Sequence, residues 1–139
     1  MHITLEADYA VRITGCLAAA EERMDASRIS EKTGVSLRFA LKILRKLVAS
    51  DIVRSYKGAQ GGYELAKPPA EITLRDVIDS IEGNYCLSRC LKDNGDFVCT
   101  QSESEASACC VYQKVFAEIS QIVNEKLESY NFETLSKNT

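Results

Sequence analysis

Ile52-Val-Arg-Ser-Tyr56-Lys-Gly-Ala-Gln-Gly-Gly62-Tyr-Glu-Leu-Ala66 is the stretch on which the fold turns. Residues 52–56 and 63–66 are rich in β-branched and aromatic side chains, and the connection between them holds Gly58, Gly61 and Gly62. Two such runs around a Gly-rich connection predict an antiparallel hairpin. Pro68-Pro69 ends it, because proline has no N–H to extend a strand ladder. Taken alone, the glycines are only turn chemistry. The residues before the hairpin give them a further use.

Leu37-Arg-Phe-Ala-Leu-Lys-Ile-Leu-Arg-Lys-Leu-Val-Ala-Ser50 has helical spacing. Phe39 or Ala40, Ile43, Leu44, Leu47 and Val48 make an inner face, and Arg38, Lys42, Arg45 and Lys46 fall away from it. Ser36 is a good N-cap for this helix. Upstream, Ser27-Arg-Ile-Ser-Glu-Lys-Thr33 predicts a short helix, with Gly34 as the left-handed residue after it. Two helices joined by a short Gly-containing turn form a helix-turn-helix unit, and a hairpin directly after it is a wing. Apolar inside and basic outside describes a helix that can lie in a DNA groove. The predicted DNA contacts are Ser36, Arg38, Lys42 and Arg45 on that helix, Tyr56, Lys57 and Gln60 on the wing, and Arg28 on the preceding helix.

Further out, Leu5, Tyr9, Ile13, Cys16, Leu17 and Ala20 predict a first helix over residues 5–20, in which Cys16 is an inert core thiol. His2, the one histidine, has no partner in sequence and no assigned role. After the prolines, Thr73 caps a helix over residues 74–82 that Gly83 ends. Val111, Val115, Phe116, Ile119, Ile122, Val123 and Leu127 then form a stripe too long for a small winged unit to cover. The economical partner for such a helix is a second copy of the chain. Residues 131–139 read as a short, partly ordered tail. The expected fold is mainly α with a small β-hairpin wing. Residues 1–83 form the winged helix-turn-helix domain, 84–110 a cysteine-rich loop, and 111–139 the dimerisation helix and tail.

The totals agree with that organisation. A single domain of 139 residues buries about two-thirds of its unfolded surface and needs no disulfides to fold. The net charge of -3 hides a segregation: residues 28–67 carry nine Lys or Arg and three acids, +6, so the remainder carries -9. Such a basic island suits a phosphate-binding surface, although on charge alone a solvated helical face explains it equally well. Residues 1–8 lack a basic segment followed by an apolar run, and no stretch approaches the roughly 20 apolar residues that cross a bilayer. The expectation is a cytoplasmic protein without membrane association. No nucleophile–base pair and no phosphate loop stands out, so no enzymatic activity is expected.

Five of the six cysteines (Cys86, Cys90, Cys99, Cys109 and Cys110) fall within twenty-five residues that have almost no apolar periodicity. In a reducing compartment such clusters more often bind metal or do redox work than staple a fold.

Over essentially its whole length the chain resembles a bacterial family of small winged-helix regulators. That family includes the iron–sulfur cluster regulator IscR, the nitric-oxide sensor NsrR and the cysteine-metabolism repressor CymR. The resemblance rests on Asp8-Tyr-Ala-Val-Arg12, Leu41-Lys-Ile-Leu-Arg-Lys-Leu47 and above all Ser55-Tyr-Lys-Gly-Ala-Gln-Gly-Gly-Tyr-Glu-Leu-Ala66. Pro68-Pro69, Ile72-Thr-Leu-Arg-Asp-Val-Ile78 and the cysteine segment follow in order. It implies a homodimeric transcription regulator, usually a repressor, that reads a pseudo-palindromic operator in double-stranded DNA. For many members it also implies an iron–sulfur cluster, 2Fe–2S or 4Fe–4S, in the loop before the dimerisation helix. Cys90, Cys99 and Cys110 occupy the three cysteine positions by resemblance. The family's histidine after the third cysteine is Gln113 here, which leaves Asp8 of the partner, or Cys109 or Cys86, as fourth ligand. Spacings of eight and ten residues between those cysteines are longer than usual in the family. Leu41 stands where the cluster-biogenesis regulator has an acidic base-reading residue, so its operator does not carry over.

Thiolates are what iron–sulfur clusters take as ligands, and a polar loop can offer backbone N–H groups to the sulfurs. The cluster would sense redox state, nitric oxide or iron–sulfur status by biasing a two-state dimer. A reversible disulfide between accessible thiols is the rival reading, as is metabolite or partner sensing with no cluster. Structural zinc is disfavoured because paired C-x-x-C knuckles are absent. An iron–sulfur electron carrier is the remote alternative, since it leaves the basic segment and wing without a task.

Overall fold

The computed structural model describes residues 2–92 and 110–138. Their elements are α1 (Leu5–Ala18), α2 (Ala26–Thr33), α3 (Leu37–Ala49), β1 (Val53–Tyr56), β2 (Gly62–Leu65), α4 (Leu74–Glu82), α5 (Val111–Glu128) and α6 (Phe132–Lys137). The strands pair antiparallel with Val53 opposite Leu65 and Tyr56 opposite Gly62. A winged helix-turn-helix unit with a long C-terminal helix is therefore the architecture.

Local signals set the boundaries. The Thr4, Asp25, Ser36 and Asn131 side chains each accept a hydrogen bond from a backbone N–H in the first turn of α1, α2, α3 and α6. Thr73 and Asp76 form a reciprocal capping box at the start of α4. Gly34 ends α2 at φ 72, where its N–H donates to the Ser30 carbonyl at 2.9 Å. A side chain there would meet the left-handed penalty, so glycine makes the turn into α3 tight.

The core gathers Ile13 and Leu17 from α1, Ile29 from α2, and Ala40, Ile43, Leu44 and Leu47 from α3, around Met24, Ile52, Val53, Ile72, Val77 and Phe132. Met24, in the link between α1 and α2, bonds Tyr63 in both directions (N···O 3.1 and 2.8 Å) and so ties the wing to the helices. α5 contributes only Ser120 to the buried residues, while Val111, Val115, Ile119 and Ile122 stay exposed. At a rise of about 1.5 Å per residue its 18 residues extend some 27 Å.

Two details depart from the sequence reading, and a third decides between the alternatives Phe39 and Ala40 that it left open. Leu5 is 60 % exposed, and α1 instead turns Ala7, Ala10 and Thr14 inward beside Ile13 and Leu17. Small residues let α1 approach α3 and α4 closely, which counting large apolar positions misses. Phe39 lies outside, edge-on to Tyr9, and Ala40 takes the inner place. Residues 131–138 are more than a partly ordered tail: α6 folds back, its Phe132 N–H donating to the Ile72 carbonyl at 3.0 Å, with the ring in the core. Six residues are too few to display a helical period, so no pattern announced it. Among the described residues no helix is long and apolar enough to cross a membrane.

Candidate nucleic-acid interface and cysteine site

The outward face of α3 carries Arg38, Lys42 and Arg45, which with Leu37, Phe39 and Leu41 line an open surface depression. Burial of Ala40, Ile43, Leu44 and Leu47 on the opposite side fixes that orientation. Ser36 sits exposed at the helix N-terminus, where its hydroxyl accepts from the Phe39 N–H at 3.5 Å. Lys57 and Gln60 are exposed at the wing tip. Among the described residues Arg38, Arg45 and Lys57 have no ion-pair partner. Their charges remain available to an anion.

The other sequence-named contacts are engaged within the chain. Lys42 pairs with Glu6 of α1, and Lys46 pairs with the same carboxylate at 2.6 Å. Hydrogen bonds from Lys42 and then Lys46 hold the Glu6 carboxyl down at about 2. Arg28 pairs with Glu22 at 2.8 Å. The Tyr56 hydroxyl donates to Glu64 at 2.7 Å, and the Arg23 guanidinium lies 3.3 Å from the centre of the Tyr56 ring. Arg23 also reaches Glu64 at 3.3 Å, so ring, carboxylate and guanidinium brace the wing against the α1–α2 link. Sequence reasoning found neither Glu6 nor Arg23, because their partners lie 33 to 41 residues away. No local pattern carries such pairs.

Wing geometry rests on glycine where the chain crosses its neighbour. At Gly62, φ is 138, and a Cβ would stand 2.8 Å from the Met24 carbonyl oxygen. The bend and the close approach both require the missing side chain.

The residues leading into the cysteine segment dock on α5. Ser120 accepts from the Leu87 N–H at 2.9 Å, and the Asn124 side-chain amide donates to the Tyr85 carbonyl at 3.2 Å. Gln113, one turn after Cys110, donates to the Cys90 carbonyl at 3.4 Å. Cys90 and Cys110 thereby come to the same end of α5. The Cys90 thiol lies 3.1 Å from the Ser88 hydroxyl, and the Cys86 thiol is 3.6 Å from the Leu91 carbonyl. Cys86, Cys90 and Cys110 are all half-buried free thiols. Cys99 and Cys109 lie outside the described residues. Asp8 pairs with Arg12 at 3.0 Å on an exposed face of α1. Among the described residues no group of three or more His, Cys, Asp or Glu side chains gathers to hold a metal. Cys16 packs against the core, and burial pushes its thiol up.

Known proteins share this sequence pattern and fold. Residues 3–138 match the Rrf2 family, described as an iron-dependent transcriptional regulator. Protein aau3 of Rhizobium meliloti is 30 % identical over 138 residues, covering 99 % of this chain and 86 % of that protein. The HTH-type transcriptional regulator NsrR of Oceanobacillus iheyensis is 29 % identical over 99 % of this chain and 91 % of its own. Among solved structures, CymR, the global cysteine regulator of B. subtilis, superposes with a TM-score of 0.77 at 24 % identity, covering 100 % of this chain and 98 % of that one. IscR of T. potens gives 0.75 at 25 % identity, covering 100 % and 89 %.

Proposed function

The chain belongs to the Rrf2 family of transcriptional regulators, and on that footing we propose that it acts as a homodimeric, cytoplasmic repressor whose operator affinity is set by an iron–sulfur cluster in the 84–110 segment. The observation that carries the DNA-binding half is the basic face of α3, where Arg38 and Arg45 have no ion-pair partner among the described residues, beside a wing whose tip bears Lys57 and Gln60. Arg38 and Arg45 would meet base edges or phosphates in the major groove, while Lys57 and Gln60 reach the neighbouring backbone. Ser36 would contribute its hydroxyl and the α3 N-terminus to a phosphate. Lys42 and Arg28 join this surface once Glu6 and Glu22 let go, a small cost for ion pairs near the surface, while Tyr56 joins it with its hydroxyl still held by Glu64.

Two copies joined through α5 would present two such surfaces to a pseudo-palindromic site. The uncovered stripe of Val111, Val115, Ile119 and Ile122 supports that pairing.

For the sensor, donor chemistry is the fit. Half-buried thiols at one end of α5 suit an iron–sulfur group, with Cys90, Cys99 and Cys110 as ligands and Asp8 of the partner, or Cys109 or Cys86, as the fourth. When bound, the group would supply redox or nitric-oxide sensitivity. The chain's own residues hold it and pass on its state: the segment is bonded to α5 through Ser120, Asn124 and Gln113, and α1 carries both Asp8 and the Glu6 that grips the recognition helix. A thiol–disulfide switch is the second reading, favoured by the spare half-buried thiol of Cys86.

The tests separate the two halves. Arg38→Ala with Lys57→Ala should weaken operator binding and flatten its salt dependence by about two contacts. Unchanged affinity at moderate salt would remove the interface assignment. Iron and sulfide in oxygen-free preparations should vanish in Cys90→Ser, Cys99→Ser and Cys110→Ser, and persist in Cys16→Ser. Full loading in the first three would eliminate the cluster, while DNA release on mild oxidation of an iron-free protein would favour the disulfide.

A further inference from the structure

A groove of about 780 Å3 runs between α1, the end of α2 and α6, and among the described residues neither α3 nor the cysteine segment lines it. Its apolar walls are Val11, Cys16, Ala19, Leu74, Phe132 and Leu135. Two cations, Arg12 and Lys32, stand among the lining residues, and no carboxylate does. Lys32 has no ion-pair partner among the described residues, whereas Arg12 is shared with the exposed Asp8 at 3.0 Å. The volume falls in the range of small-molecule sites, which are mostly apolar with a few placed polar groups.

Gly15 adds an independent observation. It lies in the interior of α1, where glycine weakens a helix relative to alanine. Packing within the chain does not ask for it, because a Cβ at this position would meet nothing within 4 Å. The open space belongs to the groove, of which Gly15 is a lining residue. A glycine that costs helix stability and relieves no clash leaves room for something the chain itself does not supply.

We propose that this groove is a binding site for a small amphipathic carboxylate, an apolar chain or ring that lies over Gly15 and Cys16 with its acid group toward Lys32 and Arg12. The charge complement decides the class. A neutral apolar body would leave Lys32 unused, and an amine would face two like charges. The site stands apart from the DNA-binding face and meets the cysteine reading only at Arg12, whose ion-pair partner Asp8 is the candidate fourth ligand.

Decanoate, with decanol and decylamine as matched controls, tests it on the full-length protein by calorimetry and by peptide-resolved alkylation of Cys16. Decanoate should bind once per chain and slow Cys16 alkylation several-fold, while the two controls do neither. Gly15→Leu should fill the groove and abolish both effects with thermal stability retained. Lys32→Gln should weaken decanoate by about two- to fivefold, the range of a solvent-exposed ion pair. Equal binding of decanol or decylamine would overturn the proposal, as would decanoate binding that survives Gly15→Leu. So would a Cys16 that resists alkylation in the ligand-free dimer, or a Gly15→Leu variant that falls to monomer, since either result gives the groove to a second copy of the chain.

Discussion

Phe132→Ala is the sharpest probe of how the C-terminal residues are held. The ring is 2 % exposed and packs with Ile13, Ile72 and Val77 in the central cluster. Removing it forfeits a transfer contribution of about 1.5–3 kcal/mol plus the cavity left behind, and buried Phe→Ala changes cost about 3–5 kcal/mol in all. Full collapse of the cavity is opposed by backbone bonds on both sides of the ring, from the Phe132 N–H to Ile72 and from the Leu74 N–H to the Tyr130 carbonyl at 2.9 Å. The upper half of that range is therefore expected, unless α6 peels away. Peeling is plausible for six residues, and it caps the loss at whatever α6 contributes as a whole. Equilibrium urea unfolding measures the loss directly. For a chain of this size each kcal/mol moves the midpoint of thermal melting by about 3–4 °C, so a fall of about 12–20 °C should accompany it. A loss under about 1 kcal/mol, the scale of surface substitutions, would refute the anchoring role and restore the partly ordered tail that the sequence suggested. A reduced urea dependence in the variant would identify peeling, because less surface then remains to be exposed.

Glu6 governs two further outcomes. Glu6→Gln should release Lys42 and Lys46 and raise operator affinity about two- to fivefold at low salt; unchanged affinity would mean the lysines stay clear of DNA in either case. Because the folded carboxyl sits at about 2, below its ordinary 4.5, its contribution to stability is fully present above pH 4.5 and is lost as pH falls towards 2. Glu6→Gln should accordingly flatten the acid limb of a stability–pH curve, and superimposable acid limbs would show the pairs to be inconsequential. Truncation after Cys110 removes α5 together with α6 and should give a monomer or an aggregate in sedimentation. Because that loss also takes Phe132, the charged variant Ile119→Glu on the exposed stripe is the cleaner test. A dimer that survives Ile119→Glu would place the interface elsewhere.

Much of this protein was legible in its residues because the relevant physics is local. The caps Ser36 and Thr73, the left-handed Gly34, the inner face of α3 and the glycine-rich wing each depend on neighbours within a turn or a hairpin. Once Ala40, Ile43, Leu44 and Leu47 point inward, Arg38 and Arg45 must point out. Tertiary structure alone decided the rest. The grip of Glu6 on two recognition-helix lysines, the bracing of Tyr56 by Arg23 and Glu64, and the return of Phe132 to the core join residues far apart in sequence. The turn of α1 that buries Ala7, Ala10 and Thr14 in place of Leu5 belongs with them, because a close helix approach selects small side chains, and only the assembled neighbours specify how close that approach is.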